Sequence, residues 1–214
     1  MSLTHVPSGV GVRASLRGGA AKAAQIQGDL VFYSGGHRGK DDVIWRAYPG
    51  RVEDFVALEA GTDTADLAYD LELSDKVAGL RLVDSVLELL DVRGVPRLRV
   101  ERPTITDASC RVIEARLTVE GCAVDTSEAA PWGRPITPAG SAHCAVRVTW
   151  DRGAVQLPAI VDPTWSVSSN MNEARGGHEA VVTAGGALLV AGNSAPIDGS
   201  PSRGYAAEIY EPSS

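Results

Sequence analysis

Short runs of alternating apolar and polar residues, cut every ten residues or so by glycine and proline, constrain this chain more than any other feature. Leu67, Tyr69, Leu71 and Leu73 alternate with Ala68, Asp70 and Glu72; Ala115, Leu117 and Val119 with Arg116, Thr118 and Glu120; Val146, Val148 and Trp150 with Arg147 and Thr149. Successive side chains of a strand point to opposite faces, so each run reads as a strand with one face on a core and one on water. Further strands are predicted over residues 10–16, 29–33, 43–47, 54–59, 80–83, 86–90, 97–100 and 155–160. Turn signals lie between them at Ser34-Gly35-Gly36, Tyr48-Pro49-Gly50, Arg93-Gly94 and Asp151-Arg152-Gly153. The 23 glycines and 12 prolines are scattered along all 214 residues, as many short elements require. The pattern is that of a β-sandwich or barrel. Two segments keep a helical alternative. Residues 20–27 have the composition for it, and residues 77–90 place Leu80, Val83, Leu87 and Leu90 at helical spacing, against Gly79 and the β-branched valines.

The net charge is −7 and no run of Lys or Arg exceeds two residues. Nucleic acid is therefore an unfavourable partner, because phosphate neutralisation needs clustered cations. No apolar stretch approaches the roughly 18 residues of a membrane span. The first twelve residues, MSLTHVPSGVGV, have neither the basic nor the apolar region of a signal peptide, and residues 1–8 are expected to be disordered. Composition shifts at Val161-Asp162-Pro163-Thr164-Trp165, which places a boundary between a domain over 9–163 and a segment over 164–214.

The later segment contains Met171, Arg175, His178, an apolar strand at 180–183, Gly185-Gly186, a second apolar strand at 187–191, Gly192, and Ala207-Glu208-Ile209-Tyr210 before Pro212. In this order and over about fifty residues the segment resembles one kelch repeat of the galactose-oxidase-like propellers. The resemblance implies a four-stranded antiparallel blade, with Met171, Arg175, His178, Gly185, Gly186, Gly192, Glu208 and Tyr210 in structural positions. Gly192 is followed by Asn193, where the usual pattern has a second glycine. A blade buries its faces against neighbours. A single repeat therefore suggests a piece of a longer propeller protein, with self-association through an exposed blade edge. The phrases YPGRVEDFVALEAG, GVPRLRVERPTITDASCRV and LPAIVDPTW also resemble the domain that precedes propeller repeats in secreted myxobacterial-type kelch proteins, with Cys110 where that pattern has a hairpin glycine. The expected fold is all-β: an antiparallel β-sandwich-like domain followed by a single kelch-type propeller blade.

Cys122 closes one predicted strand and Cys144 opens another, with a Pro- and Gly-rich loop between them. A bridge there would close the loop and stabilise by about 3 kcal/mol in the entropic account. Together with the resemblance it would place the chain outside reducing compartments. The alternative is two reduced, buried thiols. Cys110 is left as a free thiol or an intermolecular link.

No cofactor or metal is expected. Cys110, Cys122, Cys144 and His143 lack zinc-ligand spacing, and adjacent strand residues His143 and Cys144 face opposite ways. Gly35-Gly36-His37-Arg38-Gly39-Lys40-Asp41 lacks the spacing and hydroxyl of a phosphate loop and reads as a surface turn. His178, Tyr205 and Tyr210 fall within one repeat, which cannot assemble a copper-oxidase site. Trp132 and Arg134 mark a possible binding loop. The expected function is a non-catalytic, secreted or surface interaction module that binds protein or glycan. The alternatives are an accessory fragment of a propeller carbohydrate oxidase, or a truncated reading frame with no function of its own.

Overall fold

The computed structural model describes residues 1–131, 133–168, 178–183, 188–192 and 207–210. In chain order the strands of the first part are β1 (Ser2–His5), β2 (Val10–Leu16), β3 (Gln25–Gln27), β4 (Leu30–His37), β5 (Asp41–Tyr48), β6 (Arg51–Leu58), β7 (Asp66–Leu73) and β8 (Gly79–Val83). They continue as β9 (Val86–Leu90), β10 (Pro96–Val100), β11 (Thr104–Thr106), β12 (Val112–Glu114), β13 (Arg116–Glu120), β14 (His143–Thr149), β15 (Ala159–Asp162) and β16 (Thr164–Val167). Beyond them lie β17 (Glu179–Val182), β18 (Leu188–Ala191) and β19 (Ala207–Tyr210). The fold is all-β and antiparallel, with one short 3-10 turn at Arg152–Ala154.

The chain divides into two compact units, Met1–Ser168 and Ser169–Ser214. The boundary lies at residue 168, not 163. Thr164–Val167 pairs with both β6 and β10, and the Trp165 side chain is buried in the core of the first unit.

In that unit one sheet runs in the order β1-β2-β7-β14-β13. Its alternation is the one the sequence shows. Ala14, Leu71 and Cys144 stand in register on the buried face, and so do Leu16, Tyr69 and Val146. Arg13–Glu72 and Arg147–Glu120 pair on the exposed face. The second sheet is organised by β6, which pairs along its length with β5 and on its other edge with β15 and then β16. Its inner face presents Val43, Val56, Val161, Trp165, Leu98 and Leu87 to a single apolar core shared with the first sheet. Tyr69 and Trp165 meet across that core edge to face, with ring centroids 5.8 Å apart, an arrangement favoured by the aromatic quadrupoles.

Several expectations are corrected. Residues 1–8 are not disordered: Ser2–His5 pairs with β2 from Ser2↔Arg13 to His5↔Val10, and His5 is buried. Four residues of alternation are too few to register as a strand without the partner. Neither helical alternative forms. Gln25–Gln27 is a strand, and 77–90 is a hairpin whose turn residues Asp84 and Ser85 both have positive φ, the primed geometry that matches strand twist. Ser34-Gly35-Gly36 lies inside β4, at a register shift between Tyr33 and His37, and the reversal comes later, at Arg38-Gly39-Lys40. The strand predicted to start at residue 155 starts at Ala159, directly after Pro158, which has no N–H to pair. Pro49-Gly50 does form the expected tight turn, with Tyr48 opposite Arg51 and Gly50 at φ +75°.

The second unit contains an antiparallel meander, β17-β18-β19. Val181, Leu189 and Ile209 stand in one cross-strand row, and Ala180, Val190 and Glu208 in the next. Both faces of this sheet therefore carry apolar side chains.

Candidate functional site: an aromatic cleft

β4 and β5 branch from β6 on the side away from β15 and β16. Their inner-face residues Tyr33, Val43 and Trp45 continue the alternation there, but what covers them is the end of β2 and the segment that follows it. That segment is tied down by its backbone: Ala20 N–H donates to Gly36 O at 2.7 Å, and Arg38 N–H donates to Gly18 O at 2.8 Å. The result is an open cleft of about 340 Å³, walled by Leu16, Val43, Tyr33 and Trp45, with Lys22 and Met1 at its margins. Gly36 keeps it open. A Cβ there would lie 2.9 Å from Tyr33 Cβ and 3.1 Å from Val43 Cβ, so no larger residue fits.

Tyr33 and Trp45 pack edge to face, with centroids 5.7 Å apart at 66°. Trp45 is held from behind. Its Nε1–H donates to Asp54 Oδ1 at 3.0 Å. Asp54 is 2% exposed, and burial pushes its carboxyl up to about 6, against the opposing pull of Tyr69 and Trp45. The Tyr69 hydroxyl faces the same carboxylate without making a well-formed hydrogen bond, and burial first, then Asp54, raises it well above the ordinary tyrosine value. A buried line Trp45–Asp54–Tyr69–Trp165 thus runs from the cleft into the core.

A second polar cluster lies nearby. His37 Nδ1 is 3.2 Å from Asp41 Oδ2, the Thr64 hydroxyl donates to the same oxygen at 3.0 Å, and Glu59 N–H donates to Asp41 Oδ1 at 3.3 Å. His37 is 1% and Asp41 0% exposed. They brace the β4–β5 turn. Among the described residues no three His, Cys, Asp or Glu side chains converge as metal ligands would.

Cys122 and Cys144 form a disulfide, with Cα atoms 5.4 Å apart. Cys110 is exposed and free. His143 is exposed while Cys144 is buried, so the two face apart as strand geometry requires. Arg134 pairs with Asp125 and donates to Ala130 O at 2.9 Å, which engages it in holding its own loop. Trp132 lies outside the described residues, as do Met171, Arg175, Gly185, Gly186, Tyr205 and Pro212. His178 is exposed just before β17, Gly192 has φ +94° just after β18, and Glu208 and Tyr210 stand in β19 opposite Val190 and Leu188. Of the described first-unit residues singled out from the sequence, Cys110, Cys122, Cys144, His143 and Arg134 do not line the cleft.

No protein-family model, curated protein or solved structure matches this chain. The cleft is therefore read on its own chemistry. Sequence reasoning missed it, since Tyr33 and Trp45 carry the same alternation as core residues. What sets them apart is that they face the end of β2 and the segment 19–22.

Proposed function

We propose that the chain is a non-catalytic interaction module of an extracytoplasmic protein, binding a protein or glycan partner through the Tyr33–Trp45 cleft. The observation that carries this reading is the cleft itself: an open, largely apolar recess with a fixed aromatic pair, of the size and lining that recognition sites use. Its hydroxyls, on Ser15 and Tyr33, make no hydrogen bond to a basic side chain among the described residues, which is the first geometric need of a nucleophile. The Cys122–Cys144 disulfide supports a location outside reducing compartments. No helix among the described residues is long and apolar enough to cross a membrane.

The kelch reading of the second unit draws support from its antiparallel meander and its two apolar faces, since a propeller blade is covered on both sides. In the same reading, exposed Val181, Val182 and Ile209 promote self-association. The test is binding of the full chain to arrays of oligosaccharides and peptides, with Trp45→Ala as the control. Retained binding by wild type and its loss in the variant, with circular dichroism unchanged, is the expected result. Binding that survives Trp45→Ala, or a turnover that depends on Trp45, would overturn the proposal.

A further inference from the structure

We infer that the cleft is built for an aromatic carboxylate: a ring that packs against Trp45 and Tyr33, with the acid group on the Lys22 ammonium. The inference rests on the cleft being the binding site, and narrows what enters it. Its walls are apolar side chains and two aromatic rings, so the body of the ligand is apolar and flat. No carboxylate lines it; Lys22 is the charged side chain that does, and the other ammonium at the cleft, the amino group of Met1, is already engaged in donating to Ala14 O at 2.8 Å. Lys22 is exposed, its stem lies over Gly35, and it makes no ion pair among the described residues. The ammonium is therefore left to solvent and to whatever enters the cleft. Two acids lie close to the walls and both are engaged: Asp54, buried, accepts from the Trp45 indole, and Asp42 Oδ1 accepts from Gly35 N–H at 2.7 Å.

An uncompensated cation at the margin of an apolar recess is complementary to one negative charge on an apolar body. A sugar would need several planar polar partners for its hydroxyls, whereas the side-chain hydroxyls here are those of Ser15 and Tyr33 alone. The same chemistry has two sources: a free arylalkanoic acid, or the C-terminal residue of a peptide ending in an aromatic side chain.

The test uses the full chain and four probes: 3-phenylpropionate, its amide, N-acetyl-Gly-Gly-Phe with a free carboxylate, and the same peptide as its amide. Calorimetry gives affinities, and the Trp45 indole N–H resonance reports occupancy of the cleft. Each acid is expected to bind about tenfold more tightly than its amide, as one charge-assisted hydrogen bond allows. Lys22→Met keeps the aliphatic stem and should remove that preference while leaving the amides unchanged. Tighter binding of the peptide acid than of 3-phenylpropionate would identify a chain terminus as the source, and the reverse a free acid. Equal affinity for acid and amide, no effect of Lys22→Met, or no displacement of the Trp45 resonance by any probe would overturn the inference. These results would leave the cleft as a recognition site standing or falling on the array experiment with Trp45→Ala.

Discussion

Cys110 sits in the turn that joins β11 to β12 with φ +61°, a left-handed backbone that L residues other than asparagine and aspartate seldom adopt. The turn is held by Asp107, whose Oδ1 accepts from Ser109 N–H at 2.9 Å and from Arg111 N–H at 3.1 Å. The hydroxyl of Ser109 first, and then the Arg111 guanidinium, hold that carboxyl well below its ordinary range. The departure noted in the sequence, cysteine where a glycine is expected, is therefore a residue in a glycine conformation. Cys110→Gly should raise stability by about 0.5 kcal/mol, the relief of strain exceeding the added freedom of the unfolded chain. Denaturant midpoints of the two proteins measure it.

Asp54 is the opposite case, a carboxylate held where it is disfavoured. Its value in the fold, about 6, lies above the 3.8 of the free side chain, so the charged form weakens the fold at neutral pH and the neutral form does not. Asp54→Asn keeps an acceptor for Trp45 Nε1–H and removes the charge. It should stabilise by about 3 kcal/mol at pH 7.5, and most of the gain should vanish near pH 4. Equal gains at both pH values would show that the charge is not the cause.

Among the elements, β13 and β14 are adjacent strands separated by a long connection, and the disulfide joins them where they meet that connection. The bridged residues are 22 apart in sequence. The connection is further fixed to β8: Arg81 donates to Ser127 O and Glu128 O, and Asp125 N–H donates to Leu80 O. Reduction should therefore leave the strands paired but lower stability by about 3 kcal/mol, the loop-closure term for a connection of this length. Thermal unfolding with and without reductant, alongside a thiol count of one rising to three, is the measurement. A reduced protein of unchanged stability would mean that the β8 contacts alone define the loop. The strands of this region were legible from Leu117, Val119, Val146 and Val148. The contact of the loop with β8 was not, because loop-to-strand hydrogen bonds use backbone groups that leave no trace in side-chain pattern.

At the scale of the molecule, one buried and one half-buried carboxylate shape how the first unit responds to pH. Burial raises both Asp54 and Asp162 to about 6. The native state then holds protons that the unfolded chain releases between about pH 4 and 6, so stability rises as pH falls through that window. His5, lowered chiefly by burial, works against the rise. The loss of net negative charge works with it. Below about pH 4 the trend reverses, as Asp107 and Asp91 lose their charge. Asp91 is held down by Arg97 and by the N–H groups of Arg93 and Val95 in spite of its burial. The unfolding temperature of the first unit should accordingly peak near pH 5, and a monotonic fall from pH 7 to 5 would contradict this account.

Local pattern decided much of the architecture. Alternation is a property of neighbours in sequence, so Leu67–Tyr69–Leu71–Leu73 had to be a half-buried strand whatever it paired with, and Pro49-Gly50 had to turn. The same strands brought Cys122 and Cys144 together, while reduced thiols remained an alternative until the structure showed the bond. What pairs with what is a property of the whole chain, and only the tertiary structure decided it. Ser2–His5 became a strand because β2 offers an edge, and β6 bonds to β15 and β16 in succession because its one edge is longer than either. The cleft belongs to this second kind. Tyr33 and Trp45 alternate like any core residues, and they line a recess because what faces them is the end of β2 and the segment that follows it. Burial depends on what packs against a face, which no run of neighbouring residues records.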